Sequence, residues 1–518
     1  MIPKIIYWIK NNKEETIILV LIIFLGAFLR LYKIDQYMTY LGDEGRDAII
    51  VRKLLTNFDL VFVGPGTSVG NMYLGPLYYY MMAPALLFAN FSPVGPSIMV
   101  ALLGVATIIF VWFVTRKWFG KIGAFIASIL YAISPVVIIF SRHSWNPNIM
   151  PFFALLTIYS LWKVWQEHKW KWLWILGITF AFVLQSHYLG LILLPLIIIF
   201  WILTLRDLYL EKITDRKLEI RKYLKNSLLL LVFFIGLMSP LILFDAKHNW
   251  RNIKTMQTFF LERKGSVSFS PILSIEKIYP TWQLISTRLV SGTDIQIGKI
   301  VAIIFLILVG YIIFKLFQKG FTESTKKAFL LVSLWLLIGI IGLSFYHQEI
   351  YDHYLGFLFP APFILLGAIT QNIADLKKLL GNVFIILSLF ILIYVNLTNS
   401  PLKAAPGRQL QNTIEVARKI QQEADGKIYN FAVIADRNYE GAYQYFLELW
   451  GTRIVMIDPQ KYRDTLANQL FVVCEYENIE KCQPTSNPKA EVASFGWSKI
   501  QEKWDVDGVV LFKLVHKI

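Results

Sequence analysis

The string "YLGDEGRDAII" (40–50) sets Asp43, Glu44 and Asp47 around Arg46. Carboxylates so placed can accept a proton from a bound hydroxyl, and a neighbouring guanidinium can hold an anion. Similar chemistry recurs at four later points. "SRHSWNPN" (141–148) brings Arg142, His143, Asn146 and Asn148, and His187 lies in "QSHYLG". "FDAKHNW" carries Asp245, Lys247 and His248, and "YHQEIYDHY" carries His347, Glu349, Asp352, His353 and Tyr354. Five of the seven histidines fall in these clusters. Each cluster also has a plainer explanation. Asp43 and Glu44 suit a helix N-terminus, Arg142 suits a membrane-interface anchor, and Asn146 and Asn148 around Pro147 suit a turn. His187 alone would read as a hydrogen-bonded histidine inside a helix bundle.

The elements that must position these residues are apolar. Of 518 residues 56% are hydrophobic and only 17% charged, which marks a polytopic membrane protein. The formal net charge of +16 lies in short blocks between apolar runs. That is the pattern topology requires, and it argues against nucleic acid as a partner. Stretches of spanning length, about 17–25 residues, occur near 16–33, 97–115, 122–141, 149–163, 226–244, 297–314, 328–345, 354–373 and 379–396. The first lacks a small-residue cleavage site and reads as a retained anchor. Residues 172–205 contain no Asp, Glu, Lys or Arg. At about 1.5 Å per residue that run overshoots the hydrocarbon core, so it should fold back near "QSHYLG". Counted as two, it brings the expected total to about eleven spans.

Lys and Arg sort the loops. The loops 1–14, 115–121, 163–172, 206–225, 315–327 and 377–378 are basic, whereas 34–96, 141–148, 245–296 and 346–354 are less so. The first set should be cytoplasmic, with the N-terminus, and every chemical cluster then faces outward. "GPLYYYMMAPALLFA" (75–89) is too short to cross and is expected to be an outer interfacial or re-entrant helix. After residue 396 the composition changes. A periodic helix (407–424) and the strand-like runs "KIYNFAVIAD", "LFVVCEYE" and "VDGVVLFKLV" predict a small α/β domain over 397–518, outside the cell, following a membrane domain over 1–396. Cys474 and Cys482 would then meet an oxidising compartment, where a local disulfide and two free thiols are both open.

At this point the order of parts resembles the GT-C membrane glycosyltransferases that use polyprenyl-phosphate sugars. These include protein O-mannosyltransferases, the lipid A aminoarabinose transferase and Rgt-type lipopolysaccharide sugar transferases. The likeness covers roughly 15–395. It runs from Asp43-Glu44 in the first outer loop through "GPLYYY" (75–80), "RKWFG" (116–120), "SPVVIIFSRHSWNPN" (134–148) and "FDAKHNW" to "HYLGFLFPAPFILL" (353–366). Two positions depart from it. Gly75 stands where some relatives place Lys, and Asn146 and Asn148 stand where an Asp is often found.

The resemblance implies a mostly α GT-C bundle with a large first outer loop, and inverting transfer of a sugar from a lipid phosphate to a glycan, lipid or protein acceptor. A lipid phosphate leaves as a stable anion, so one carboxylate base with a basic pocket is enough, unlike the paired carboxylates of most glycosidases. Asp43 is then the expected general base, with Glu44 beside it orienting hydroxyls. Arg142 and His353 would hold the donor phosphate, with Lys247 and His248 in reserve. Arg46, Asn146, Asn148, His187 and Tyr354 would contact substrate. A divalent metal near Asp43 is left open. The rival reading, a transporter or lipid-linked sugar flippase, would favour internal repeats and mid-membrane ionisable groups. The apolar stretches are nearly charge-free and no repeat is evident.

Overall fold

The computed structural model describes residues 2–67, 70–210, 215–261, 271–316, 322–376 and 378–517. Parts of the expected loops 206–225, 245–296, 315–327 and 377–378 lie outside these residues. The apolar stretches marked in the sequence fall on helices, with 122–141 broken at Ser134 into Lys121–Ile133 and Pro135–Ile139. In chain order the helices are Lys13–Leu31, Val94–Trp118, Lys121–Ile133, Pro135–Ile139, Met150–Trp165, Trp172–Ser186, Leu193–Leu210, Arg216–Lys247, Ile295–Leu316, Glu323–Ser344, Pro360–Asp375 and Leu379–Thr398. Among the described residues six helices are long and apolar enough to cross a membrane, or seven if the bent pair Asp352–Leu358 and Pro360–Asp375 forms one span. The other expected spans fall on helices that are shorter or carry more charge.

The uncharged run at 172–205 breaks at His187, whose extended backbone ends one helix before a 3₁₀ turn, Tyr188–Ile192, leads into the next. In Arg216–Lys247 only 11% of the most apolar window is buried within the chain. Its Leu228, Leu231 and Val232 side chains are exposed, a surface that needs lipid to cover it. This is an integral membrane protein.

The long loop after the first span is folded. The acidic helix Gly42–Asn57 carries the 40–50 string, and Leu77–Phe88 is a twelve-residue apolar helix, about 18 Å long and too short to cross. One hydrophobic cluster joins both to the C-terminal domain through Tyr40, Ala48, Tyr79 and Met82 on one side and Tyr443, Tyr445 and Phe446 on the other. That domain is a four-stranded sheet. Asn430–Ile434 runs parallel to Gln469–Cys474, which pairs antiparallel with Val509–His516 and then Ser498–Val506. Cys474 and Cys482 form a disulfide.

Candidate active site

The acidic helix starts at Gly42, so Asp43, Arg46 and Asp47 fall at i, i+3 and i+4 on one face. Arg46 binds both acids: Nη1 donates to Asp43 Oδ1 at 2.7 Å, while Nε and Nη2 donate to Asp47 Oδ1 at 3.0 and 2.7 Å. Asp47 is fully buried, and its Oδ1 also accepts from Tyr79 O–H at 3.0 Å. Burial pushes the Asp47 carboxyl up to about 6 against the pull of Arg46. Asp43 stays partly exposed, its side chain 40% accessible. Its Oδ1 takes a second bond from Tyr439 O–H at 2.7 Å, and Oδ2 has no hydrogen-bond partner among the described residues.

Asp43 and Arg46 sit on the wall of a cavity of about 800 Å³. Asn146, His187, His353 and Tyr354, all named from the sequence, line it too, together with Trp145, Tyr188, Tyr346 and Tyr351. The His353 ring lies 4.7 Å from Trp145, 4.5 Å from Tyr354 and 5.8 Å from His187, centroid to centroid. Burial, with His353 nearby, pulls His187 down to about 3, so its imidazole is neutral. Its Nδ1 accepts from Leu189 N–H at 3.2 Å, which leaves Nε2–H as the donor. Such a wall offers rings to a sugar face and neutral donors to its oxygens.

Five expected site residues are elsewhere. Glu44, one position and about 100° round the helix from Asp43, is buried. Its Oε2 accepts from Leu41 N–H at 2.9 Å, and Oε1 lies 3.8 Å from His143 Nε2. It caps the helix and does not reach the cavity. Arg142 is also buried. Nη1 and Nη2 donate to the carbonyls of Leu29 and Tyr32 at 2.5 and 2.7 Å, and the guanidinium lies over the Tyr37 ring. It satisfies the open carbonyls that end the first span and does not line the cavity. Asn148 turns inward, Nδ2 donating to His143 O at 2.9 Å. Lys247 and His248 are exposed at the end of Arg216–Lys247, away from the cavity lining, because Asp245 takes the inward position and caps the next helix through Asn252 N–H at 2.6 Å.

The sequence sets Asp47 beside Arg46 but assigns it no role, and it does not point to Tyr79 or Tyr439 as members of the acidic network. Only Asp47 left a signal, its i+4 spacing from Asp43. Gly75 now has a structural reason. A Cβ there would lie 2.0 Å from Gln185 Oε1, so the lysine of some relatives has no room beside this glutamine. The donor set does not fit a divalent metal. Glu44 faces away, Asp47 is closed in by Arg46 and Tyr79, and no three His, Cys, Asp or Glu side chains are suitably grouped among the described residues.

Burial raises the Glu44 carboxyl to about 8, against the stabilising Leu41 N–H bond. The folded chain therefore keeps a proton that an unfolded chain releases near 4.5. The contribution of Glu44 to stability should be fully present below about pH 4.5, fall as pH rises through 4.5 to 8, and level off above. Glu44→Gln keeps the acceptor for Leu41 N–H without the charge. It should flatten this slope in detergent melting curves between pH 5 and 9 while turnover stays within about threefold; a hundredfold loss would restore Glu44 to the chemistry.

A folded acidic loop, a cavity at the ends of apolar helices and an appended sheet domain define a GT-C-type membrane fold. ArnT from Cupriavidus metallidurans bound to undecaprenyl phosphate superposes with a TM-score of 0.60 at 13% identity, covering 97% of this chain and 98% of that one. AglB from Archaeoglobus fulgidus, in complex with an inhibitory peptide and a dolichol-phosphate, gives 0.56 at 13% identity over 98% of this chain and 74% of its own. Residues 74–239 match the family model of dolichyl-phosphate-mannose-protein mannosyltransferases. The Bacillus subtilis (strain 168) protein described as "Putative mannosyltransferase YkcB" is 25% identical over 218 residues, 40% of this chain. The aligned part spans 29% of that relative's length.

Proposed function

We propose that this protein is an integral-membrane glycosyltransferase that moves a sugar from a polyprenyl-phosphate donor to an acceptor outside the cytoplasm, with inversion. The observation that carries the reading is Asp43, the sole carboxylate among the described residues lining a cavity walled mainly by aromatic and apolar side chains, with Arg46 and Asn146 among them. Asp43 Oδ2 takes the acceptor hydroxyl proton, the freed oxygen attacks the anomeric carbon, and the bond to the phosphate oxygen breaks. The lipid phosphate departs with the electron pair. Arg46 is the cation on that wall among the described residues, and the neutral imidazoles of His187 and His353 supply hydrogen bonds to sugar or phosphate. The apolar rest of the wall suits the isoprenoid tail.

The undecaprenyl and dolichol phosphates named with ArnT and AglB, and the mannosyltransferase family match, support a lipid-linked donor. The acceptor is a glycan, lipid or protein of the cell envelope. The basic loops favour a cytoplasmic N-terminus, and the disulfide favours an oxidising compartment for the domain after the last span, on the outer side of the plasma membrane. The direct test uses purified protein in liposomes with a polyprenyl-phosphate sugar labelled in the sugar. Transfer of label to an envelope acceptor is expected. Movement of the intact labelled lipid across the bilayer without transfer would replace this reading with a flippase.

A further inference from the structure

The contact that neither the membrane helices nor the acidic string explains comes from the far end of the chain. Between strand Asn430–Ile434 and helix Gly441–Leu449 a loop lays Asn438 and Tyr439 over the start of the acidic helix. Asn438 Oδ1 accepts from Gly42 N–H at 2.8 Å and Tyr439 N–H at 2.9 Å, while its Nδ2 donates to Glu475 Oε1 at 2.6 Å. The loop is thus tied to the sheet on one side and to a helix N-terminus on the other. Gly42 makes room for it, since a Cβ there would lie 2.3 Å from the Tyr439 ring.

The tied loop delivers one hydroxyl. Tyr439 O–H donates to Asp43 Oδ1 at 2.7 Å and accepts from Arg46 Nη1 at 3.1 Å. Burial holds the phenol well above its ordinary range, and Asp43 adds to the effect, so the proton stays on the tyrosine. Arg46 alone cannot fix Asp43, because its other two nitrogens on this face serve Asp47. Two donors converging on one oxygen hold the carboxylate rotamer and leave the second oxygen for a proton. We propose that the C-terminal domain is part of the catalytic apparatus, with Tyr439 the positioning residue that orients Asp43 toward the acceptor hydroxyl. This rests on the reading of Asp43 as the base.

The test is Tyr439→Phe in the full-length protein, reconstituted in liposomes and assayed with labelled donor. Phenylalanine keeps the ring on Gly42 and removes only the hydroxyl. kcat should fall about ten- to a hundredfold, the scale of a misplaced catalytic group. Donor KM should stay within twofold and the melting temperature within a few degrees. In an Asp43→Asn background the same change should cost nothing further. Glu448→Gln, which weakens the Arg52–Glu448 ion pair across the same interface, should leave kcat within twofold. If Tyr439→Phe turns over normally while Asp43→Asn is inactive, the proposal falls and the base assignment stands. If Asp43→Asn itself turns over normally, both fall. Should Tyr439→Phe fail to fold, Asn438→Ser loosens the loop without touching Asp43; a threefold or greater loss in kcat at constant KM supports the proposal, and unchanged kcat overturns it.

Discussion

Asp43→Asn should lower single-turnover sugar transfer by at least about a hundredfold and leave the protein folded. Asparagine has nearly the same shape, and its carbonyl can still accept from Arg46 Nη1 and Tyr439 O–H, the bonds that hold the wild-type side chain. What it cannot do is take a proton. The cost to the fold is small, because Asp43 is partly exposed and the charge it gives to the helix N-terminus is worth about 0.3–1 kcal/mol. The loss should therefore appear in kcat, with donor KM and melting temperature nearly constant. Uniform binding would show the opposite pattern. Near-normal turnover would remove the acid–base reading altogether, because no second carboxylate among the described residues reaches the cavity wall to take over.

Much of this arrangement can be read from the chain. The apolar stretches are legible because a bilayer imposes a length that composition cannot hide, and the break at His187 follows from a run too long for one crossing. Three of the four strands show as buried apolar runs. The fourth, Ser498–Val506, is an edge strand whose apolar face, Ile500, Trp504 and Val506, is interrupted by Glu502 at a register shift, so its alternation is hard to detect. The gathering of His143, His187, His353 and Trp145 into one ring cluster agrees with their placement on loops that the Lys and Arg pattern assigns to one side.

What was not legible depends on crossings between distant segments. Arg142 is read as a phosphate ligand from its residue type and the resemblance of its loop. Its partners Leu29 O and Tyr32 O lie 113 and 110 residues earlier, and nothing local marks a span that ends there with open carbonyls. Asp43 and Glu44 look equivalent on paper, yet a rotation of about 100° per helical residue sends one to the cavity and the other to a cap. Tyr439 stands 396 residues from its carboxylate in a domain with no motif of its own.

Gly45→Ala should undo the docking of that domain. A Cβ at position 45 would lie 2.3 Å from the carbonyl carbon and oxygen of Gly441 and 2.4 Å from Ala442 Cα. In return, a Cβ at 441 would lie 2.4 Å from Gly42 O. The acidic helix and Gly441–Leu449 thus touch backbone to backbone, with no side-chain tip to move aside. Alanine is the better helix former by about 1 kcal/mol, which favours the variant in an isolated helix. Overpacking a closed contact costs about 1–3 kcal/mol, and rigid backbone on both sides puts this case at the upper end, so sterics should win. Relief requires the two helices to separate, and the 2.7 Å Tyr439–Asp43 and 2.8 Å Asn438–Gly42 bonds cannot survive a shift of an ångström or more. Turnover should fall at least as far as in Tyr439→Phe, and limited proteolysis should cut the linker at 399–408 faster than in the wild type. If Gly45→Ala kept wild-type turnover and protease resistance, the domain would not be held by this close approach, and the two glycines flanking Asp43 and Glu44 would need another explanation.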